Sequence, residues 1–313
     1  MNDRDPVFVI GAGPSGLAAA YRLKQAGLPP IVLAKRDRTG GMIHTHREQG
    51  YLMEEGATIL PSAYEPVVEL AHEIGVGADL IPAGSVIGFA RDKAIHNLRS
   101  NHLFLDAART KLVSGRSKVA MARFGIDAAR ASKGLNYVPD LISGHFDAEA
   151  TSFLRGLRYT KCVVLNTGVT RKPVGITASV INVPRQVDAG LMGFTCEHNK
   201  APGRAPEGHG LMAVLTMTEW AEQLIGEDDD TIRDRMLGAL EKVIPGVSDT
   251  VDYTRVTRWN EVVIYSRPGL YKQLGHFVAH EAANSRIQLA GVFAPRRTCA
   301  PRRWPENARP PGS

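Results

Sequence analysis

The chain has 313 residues, a formal charge of +6, 43% apolar and 22% charged residues. That describes one large or two ordinary globular domains and excludes a disordered or fibrous chain. No apolar run reaches the ~18 residues of a membrane-spanning helix, so none is expected.

The first six residues are polar and acidic and lead straight into an apolar run, so no leader peptide is expected. Cys162, Cys196 and Cys299 lie far apart without paired spacing, which fits a reducing cytoplasm better than a disulfide scaffold or a zinc knuckle. Positive charge concentrates in two places. Residues 296–313 hold five arginines against one glutamate, and the stretch from Arg99 to Lys133 holds eight Lys/Arg against Asp106 and Asp127. Such runs are ordinarily solvated faces, with peripheral contact to an acidic lipid surface as the alternative. No nucleic-acid motif flanks them, so nucleic acid is not an expected partner.

Residues 7–10 (VFVI) read as a buried parallel strand. GAGPSG at 11–16 follows at once, then a helix from LAAAYRL at 17–23, and a second strand from IVL at 31–33. A GxGxxG between a strand and a helix, with a second strand about thirty residues in, is the dinucleotide-binding pattern. Gly11 allows the tight turn, Gly13 lets backbone approach a pyrophosphate, and Gly16 permits close helix–strand packing. Pro14 and Ser15 lie between them, where the helix N-terminus offers its N–H groups and positive dipole end to phosphate.

The continuation separates flavin from nicotinamide. KRDRTGG at 35–41 and GYLMEEGA at 50–57 resemble the flavin amine oxidase and protoporphyrinogen oxidase superfamily. The resemblance implies FAD, wrapped by an R-x-G-G turn and a G-[YF]-x-x-[ED]-x-G segment. It places Arg36, Gly40, Gly41 and Met42 at the turn, and Glu54, Gly56 and Ala57 toward the isoalloxazine end. It continues through LAHEIGVGAD at 70–79, GFARDKAIH at 88–96, RVTRWNEVVIYSRPGLY at 255–271 and RIQLAG at 286–291, which ends at a second flavin-contact glycine, Gly291.

Three departures bear on function. A carboxylate is expected about twenty residues after Gly11 to receive the adenosine ribose hydroxyls, and Ala34 stands there. Such charge-assisted bonds are worth ~1.5–3 kcal/mol, so its absence should weaken FAD binding by about one to two decades. Val292 stands where the family has an acid, and a Pro/Arg-rich tail replaces the small-residue helix beyond it. Family members are also usually longer, and the chain reads as shortened near 139–145.

Further along, 161–165 and 175–183 read as strands, 201–210 as a Gly/Pro loop, and 210–216 as another strand. DDDTI at 228–232 opens a helix running to about 243, with acids at its positive end. His276 and His280 sit four apart but lack a third ligand, so no metal site is expected. His44 and His46 follow the GG turn as loop histidines or substrate contacts. No catalytic base stands out.

The expected fold class is α/β: a Rossmann-like FAD-binding domain (1–80 and 250–295) with an interleaved α+β substrate domain (81–249) and a basic tail (296–313). The expected function is an FAD-dependent oxidoreductase, oxidising a small organic substrate by hydride transfer to flavin with O₂ as acceptor. The alternatives are a shortened relative with weak or no FAD binding and no turnover, and an NAD(P)-dependent dehydrogenase.

Overall fold

The computed structural model describes residues 6–56, 59–60, 64–84, 86–99, 148–270 and 272–274, with isolated positions at 106, 109, 110, 112, 115 and 277. Ala57, Gly291, Val292, His276, His280, the stretch 139–145 and the tail lie outside the described residues.

β1 (Val7–Ile10), α1 (Pro14–Gln25) and β2 (Pro30–Leu33) form the expected βαβ unit, its strands parallel with Val9 level with Val32. Pro14 starts α1, where a missing N–H costs nothing, and Arg22 and Lys24 end it with the charge its dipole favours. The expectation of a buried strand is corrected by the burial pattern, which alternates along both strands. Val9 lies under Gly16 of α1, whereas Phe8, Ile10, Ile31 and Leu33 form an open apolar face, Phe8 60% exposed. A parallel strand is buried on both faces only when layers cover both. Among the described residues α1 covers one.

A hairpin follows, β3 (Thr45–Glu48) and β4 (Tyr51–Glu54), with Thr45 opposite Glu54. Gln49 and Gly50 turn it, both at positive φ, the geometry a two-residue hairpin loop requires. α2 (Glu65–Glu73) is tied back to α1 through Glu73, whose carboxylate accepts from Arg22, Gln25 and Tyr21.

The large sheet has seven strands in the order β11-β7-β10-β9-β8-β5-β6. These are β5 (Val86–Arg91), β6 (Ala94–Arg99), β7 (Cys162–Val169), β8 (Val180–Asn182), β9 (Leu191–Cys196), β10 (Gly210–Thr216) and β11 (Val251–Trp259). All neighbours are antiparallel except β5 and β8. The expected strand at 210–216 is found as written; the one expected over 175–183 shortens to Val180–Asn182, with Gly175 at positive φ ahead of it. Among the described residues, α3 (Ala148–Arg155), α4 (Thr218–Leu224) and α5 (Asp229–Glu241) accompany the sheet. Asp228 caps α5 by accepting from the Thr231 N–H, as the acid run at its start implies.

β7 orients everything else. All eight of its residues are buried, and the strand period of two divides them between faces. Val163, Leu165 and Val169 enter the main core with Phe194, Met212, Val214, Ile232, Met236 and Leu240. Cys162 and Val164 point the other way, beside Ala213, Trp259 and Met42. Helices thus cover one face, while the β3–β4 hairpin and the turn before it cover the other. β11 pairs with β7 along its whole length, so 251–259 lies in the large sheet.

Among the described residues no helix is long and apolar enough to cross a membrane. Gly238 is exposed on α5, with nothing within 4 Å of where a Cβ would sit. Gly238→Ala is expected to raise the unfolding free energy by about 0.5–1 kcal/mol in urea titrations.

Candidate functional site

The glycine loop folds as its spacing demands. Gly11 takes φ +104, a conformation side-chain-bearing residues rarely adopt. A Cβ on Gly16 would lie 1.9 Å from the Gly11 carbonyl oxygen, so helix and turn touch directly. Gly13 forms the N-cap of α1 in extended conformation, with no side-chain cap bond and no acid in the first turn. The first-turn N–H groups of a helix lack intrahelical acceptors. Here they meet no competing carboxylate from their own turn, which fits an anionic phosphate.

The second glycine turn braces the first. The Gly40 N–H donates to the Ala12 carbonyl at 2.8 Å, and a Cβ on Gly41 would stand 3.1 Å from the Gly13 Cα. Gly40 is closed off as well, because its Cβ would meet the Ile43 carbonyl at 2.5 Å. Gly56 is equally confined, between the Met42 carbonyl at 2.5 Å and the Trp259 ring at 3.4 Å. The structure therefore brings Gly11, Gly13, Pro14, Ser15, Gly16, Gly40, Gly41, Met42 and Gly56 into one backbone-lined cradle. Arg36 joins it by donating to the Gly41 carbonyl at 2.9 Å, with its guanidinium 5.4 Å from the Trp259 ring centroid.

Glu55 sits behind this cradle. Its Oε2 accepts from Arg38 Nη2 at 3.0 Å and lies 3.2 Å from His44 Nδ1. Its Oε1 accepts from His46 Nε2 at 2.5 Å and lies 3.8 Å from Arg255 Nη2. Its main chain is held too: the N–H donates to the His44 carbonyl at 2.9 Å, and the carbonyl accepts from Trp259 Nε1 at 2.7 Å. Burial alone would push the Glu55 carboxyl up, but the His46 bond and the charges of His46 and His44 outweigh it and hold it below the usual carboxylate range.

Glu54 points elsewhere. Arg204 donates to its Oε1 at 2.6 Å and the Thr45 hydroxyl donates to its Oε2 at 2.7 Å, so both carboxylate oxygens are engaged within the protein. Its carbonyl accepts from the buried Asn166 Nδ2 at 3.1 Å. Tyr51 lies flat against Gly168 of β7, where a Cβ would fall 2.5 Å from its ring. The Tyr51 hydroxyl donates to Asp252 at 2.7 Å, its ring stacks on Tyr253 at 5.5 Å, and the Tyr253 hydroxyl donates to Glu48 at 2.6 Å. Burial and the Glu48 carboxylate push the Tyr253 phenol up to about 12. These contacts dock the hairpin onto the large sheet.

His44, His46 and Glu55 bring three potential ligand atoms within 4.8 Å of one another. The two guanidiniums on the same carboxylate weigh against a cation. Unit charges ~4 Å apart repel by about 4 kcal/mol at an effective dielectric of 20, and a dication doubles that for each. Arg38, Glu55, Arg255 and Asn166 were not singled out in the sequence. Their signal was weak, because Glu55 occupies the variable position of the E-x-G motif and Arg255 arrives two hundred residues later. A cleft of about 340 Å³ is lined by Gly156, Leu157, Arg158, Tyr265, Arg267 and Leu270, within the size range of small-molecule sites.

A carboxylate whose folded-state pKa is depressed stabilises the fold above the ordinary carboxylate range and loses that contribution as pH falls through the depressed value. Glu55→Gln is accordingly expected to lower the thermal midpoint at neutral pH, with the gap to the parent closing in acid. A gap that stays constant with pH would contradict the charge-based role.

The family model for flavin containing amine oxidoreductases matches residues 14–153 and 126–293. A phytoene desaturase (lycopene-forming) of Pantoea ananas is 44% identical over 68 residues, which are 21% of this chain and 14% of that protein. A flavin-containing amine oxidase of Oncorhynchus mykiss is 44% identical over 71 residues, 22% of this chain and 14% of that one. The stretches matched in these two relatives are thus a small part of their length. A candidate protoporphyrinogen oxidase of an Exiguobacterium species superposes with a TM-score of 0.68 at 14% identity, covering 91% of this chain and 92% of the other, a likeness of fold. With the α/β fold, the glycine cradle and the family model all in agreement, the chain belongs to the flavin containing amine oxidoreductase family, a family of FAD-dependent oxidoreductases.

Proposed function

We propose that this chain binds FAD and oxidises a small organic substrate, with O₂ as the acceptor. One observation carries the reading: two glycine turns meet backbone to backbone beside the α1 N-terminus, whose first turn carries no acid. Such a surface suits a pyrophosphate, which needs close approach and N–H donors but no side chain. FAD, when bound, would supply the hydride acceptor. Gly11, Gly13, Pro14, Ser15 and Gly16 would hold its phosphates, Arg36, Gly40, Gly41 and Met42 would back them, and Gly56, Ala57 and Gly291 would approach the flavin end. Glu54 would serve through its position, since its carboxylate is occupied by Arg204 and Thr45. The division into a cofactor domain and an interleaved substrate domain belongs to the same proposal, with 251–259 on the substrate side. So does a cytoplasmic location, supported by Cys162 and Cys196, both buried and free.

The purified protein is expected to be yellow, with flavin absorption near one FAD per chain. A colourless protein that takes up no added FAD would sink the proposal, and saturable nicotinamide binding would point to a dehydrogenase instead. A second reading, a relative with weakened FAD affinity, is favoured by Ala34, which leaves the end of β2 without the ribose-binding carboxylate. Ala34→Glu should then tighten FAD binding by about ten- to a hundredfold, measured by quenching of flavin fluorescence. No change in affinity would mean that the ribose lies away from residue 34.

A further inference from the structure

We propose that Glu55 is a positioning residue: its carboxylate pins the glycine turn at 39–43 to strand β11 and so fixes the backbone that faces the cofactor. The inference rests on the FAD reading for its consequence, though not for its geometry.

Three elements converge on this one side chain. From the turn, Arg38 bonds it while its other guanidinium nitrogen lies 3.3 Å from the Gly41 carbonyl, which also accepts from Arg36. From the residue before the hairpin and from β3 come His44 and His46, their rings edge to face at 4.3 Å. From the large sheet comes Arg255, which also lies 3.2 Å from His46 Nε2 and 3.5 Å from Glu48. The main chain of Glu55 meanwhile accepts from Trp259, the ring that confines Gly56 and underlies Arg36. Glu55 is thus the negative centre of two guanidiniums and two imidazoles. Its side chain is only 16% exposed, so solvent screens the attraction poorly.

Without that charge Arg38 loses its carboxylate partner at a part-buried position, whereas Arg255 keeps Glu48 at 3.5 Å, so the link between the turn and β11 is broken at Arg38. Arg38 also lies 3.3 Å from the Gly41 carbonyl, so its release reaches the turn. Gly41 packs on Gly13 with no side chain to absorb the shift. Glutamine is close to isosteric and keeps an acceptor oxygen but not the charge; aspartate keeps the charge on a shorter stem.

The test compares the parent, Glu55→Gln, Glu55→Asp and Lys242→Met. The last breaks a comparable ion pair, Lys242 with Asp188 at 2.8 Å, away from the cradle. Two readings are taken: FAD affinity by fluorescence quenching, and amide hydrogen exchange over 39–44 without FAD. The expected result is that Glu55→Gln loses about tenfold or more in affinity and exchanges faster at 39–44. Glu55→Asp should recover part of both, and Lys242→Met should change neither. Parent-like affinity and exchange in Glu55→Gln, or equal losses in Lys242→Met, would overturn the proposal. If the parent itself takes up no FAD, the cofactor reading falls and exchange alone decides, faster in Glu55→Gln for the pin and unchanged against it. Should Glu55→Gln not fold, Glu55→Asp carries both readings, with intermediate values expected and parent-like values overturning.

Discussion

Two stretches of main chain, around residues 13 and 41, approach each other more closely than side chains would permit. Gly41 would place a Cβ 3.1 Å from the Gly13 Cα, and the Gly40 N–H already bonds the Ala12 carbonyl. Steric exclusion, more than any attraction, sets this constraint. Because neither turn carries a side chain at the contact, peptide groups meet there directly, and the geometry of that contact follows from backbone dihedrals. The first turn is positioned by α1, whose Gly16 presses against the Gly11 carbonyl. The second hangs between β2 and the β3–β4 hairpin, and needs support from elsewhere.

That support comes through polar contacts at part-buried positions. Tyr51 and Tyr253 with their carboxylate acceptors, Arg204 with Glu54, and the groups around Glu55 join the hairpin to the large sheet. Interactions of this kind contribute little net stability compared with a well-packed apolar contact, because desolvation offsets most of the attraction. They are directional, however, and a hydrogen bond is lost when its partners shift by a fraction of their separation. Met53, Leu211 and Tyr51 supply the apolar adhesion, while the polar contacts set the register. The division suits a cradle that must be placed accurately on a sheet to which the cofactor-side segment is otherwise only loosely related.

The legible parts of the fold were those governed by neighbours in sequence. GAGPSG foretold its turn because left-handed φ at Gly11 and contact at Gly16 are requirements of residues a few positions apart. The helix after Asp228 and the strand at 210–216 were readable for the same reason, from a cap and from an apolar run. Three things were not readable. The run at 7–10 is apolar at every position, so composition could not reveal that Phe8 and Ile10 face outward while Val9 meets α1. The pairing of β11 with β7 joins residues some ninety apart. Glu54 and Glu55 are chemically identical neighbours, and only the strand alternation of the finished hairpin sends one toward Arg204 and the other toward Arg38 and Arg255. The family motif marks the first of them, while the denser set of contacts falls on the second.

The bond from Trp259 to the Glu55 carbonyl spans 204 residues, and that distance has a meaning in time. A ribosome adding about 5–20 residues per second releases the glycine turns and hairpin roughly 10–40 seconds before the strand that must hold them. During that interval the nascent N-terminal segment presents a two-stranded unit, a size that is marginal on its own, with Phe8, Ile10, Ile31 and Leu33 uncovered. The cradle is encoded first and completed late. Any ligand that needs the turns held in place would meet an unfinished site until Trp259 has been made.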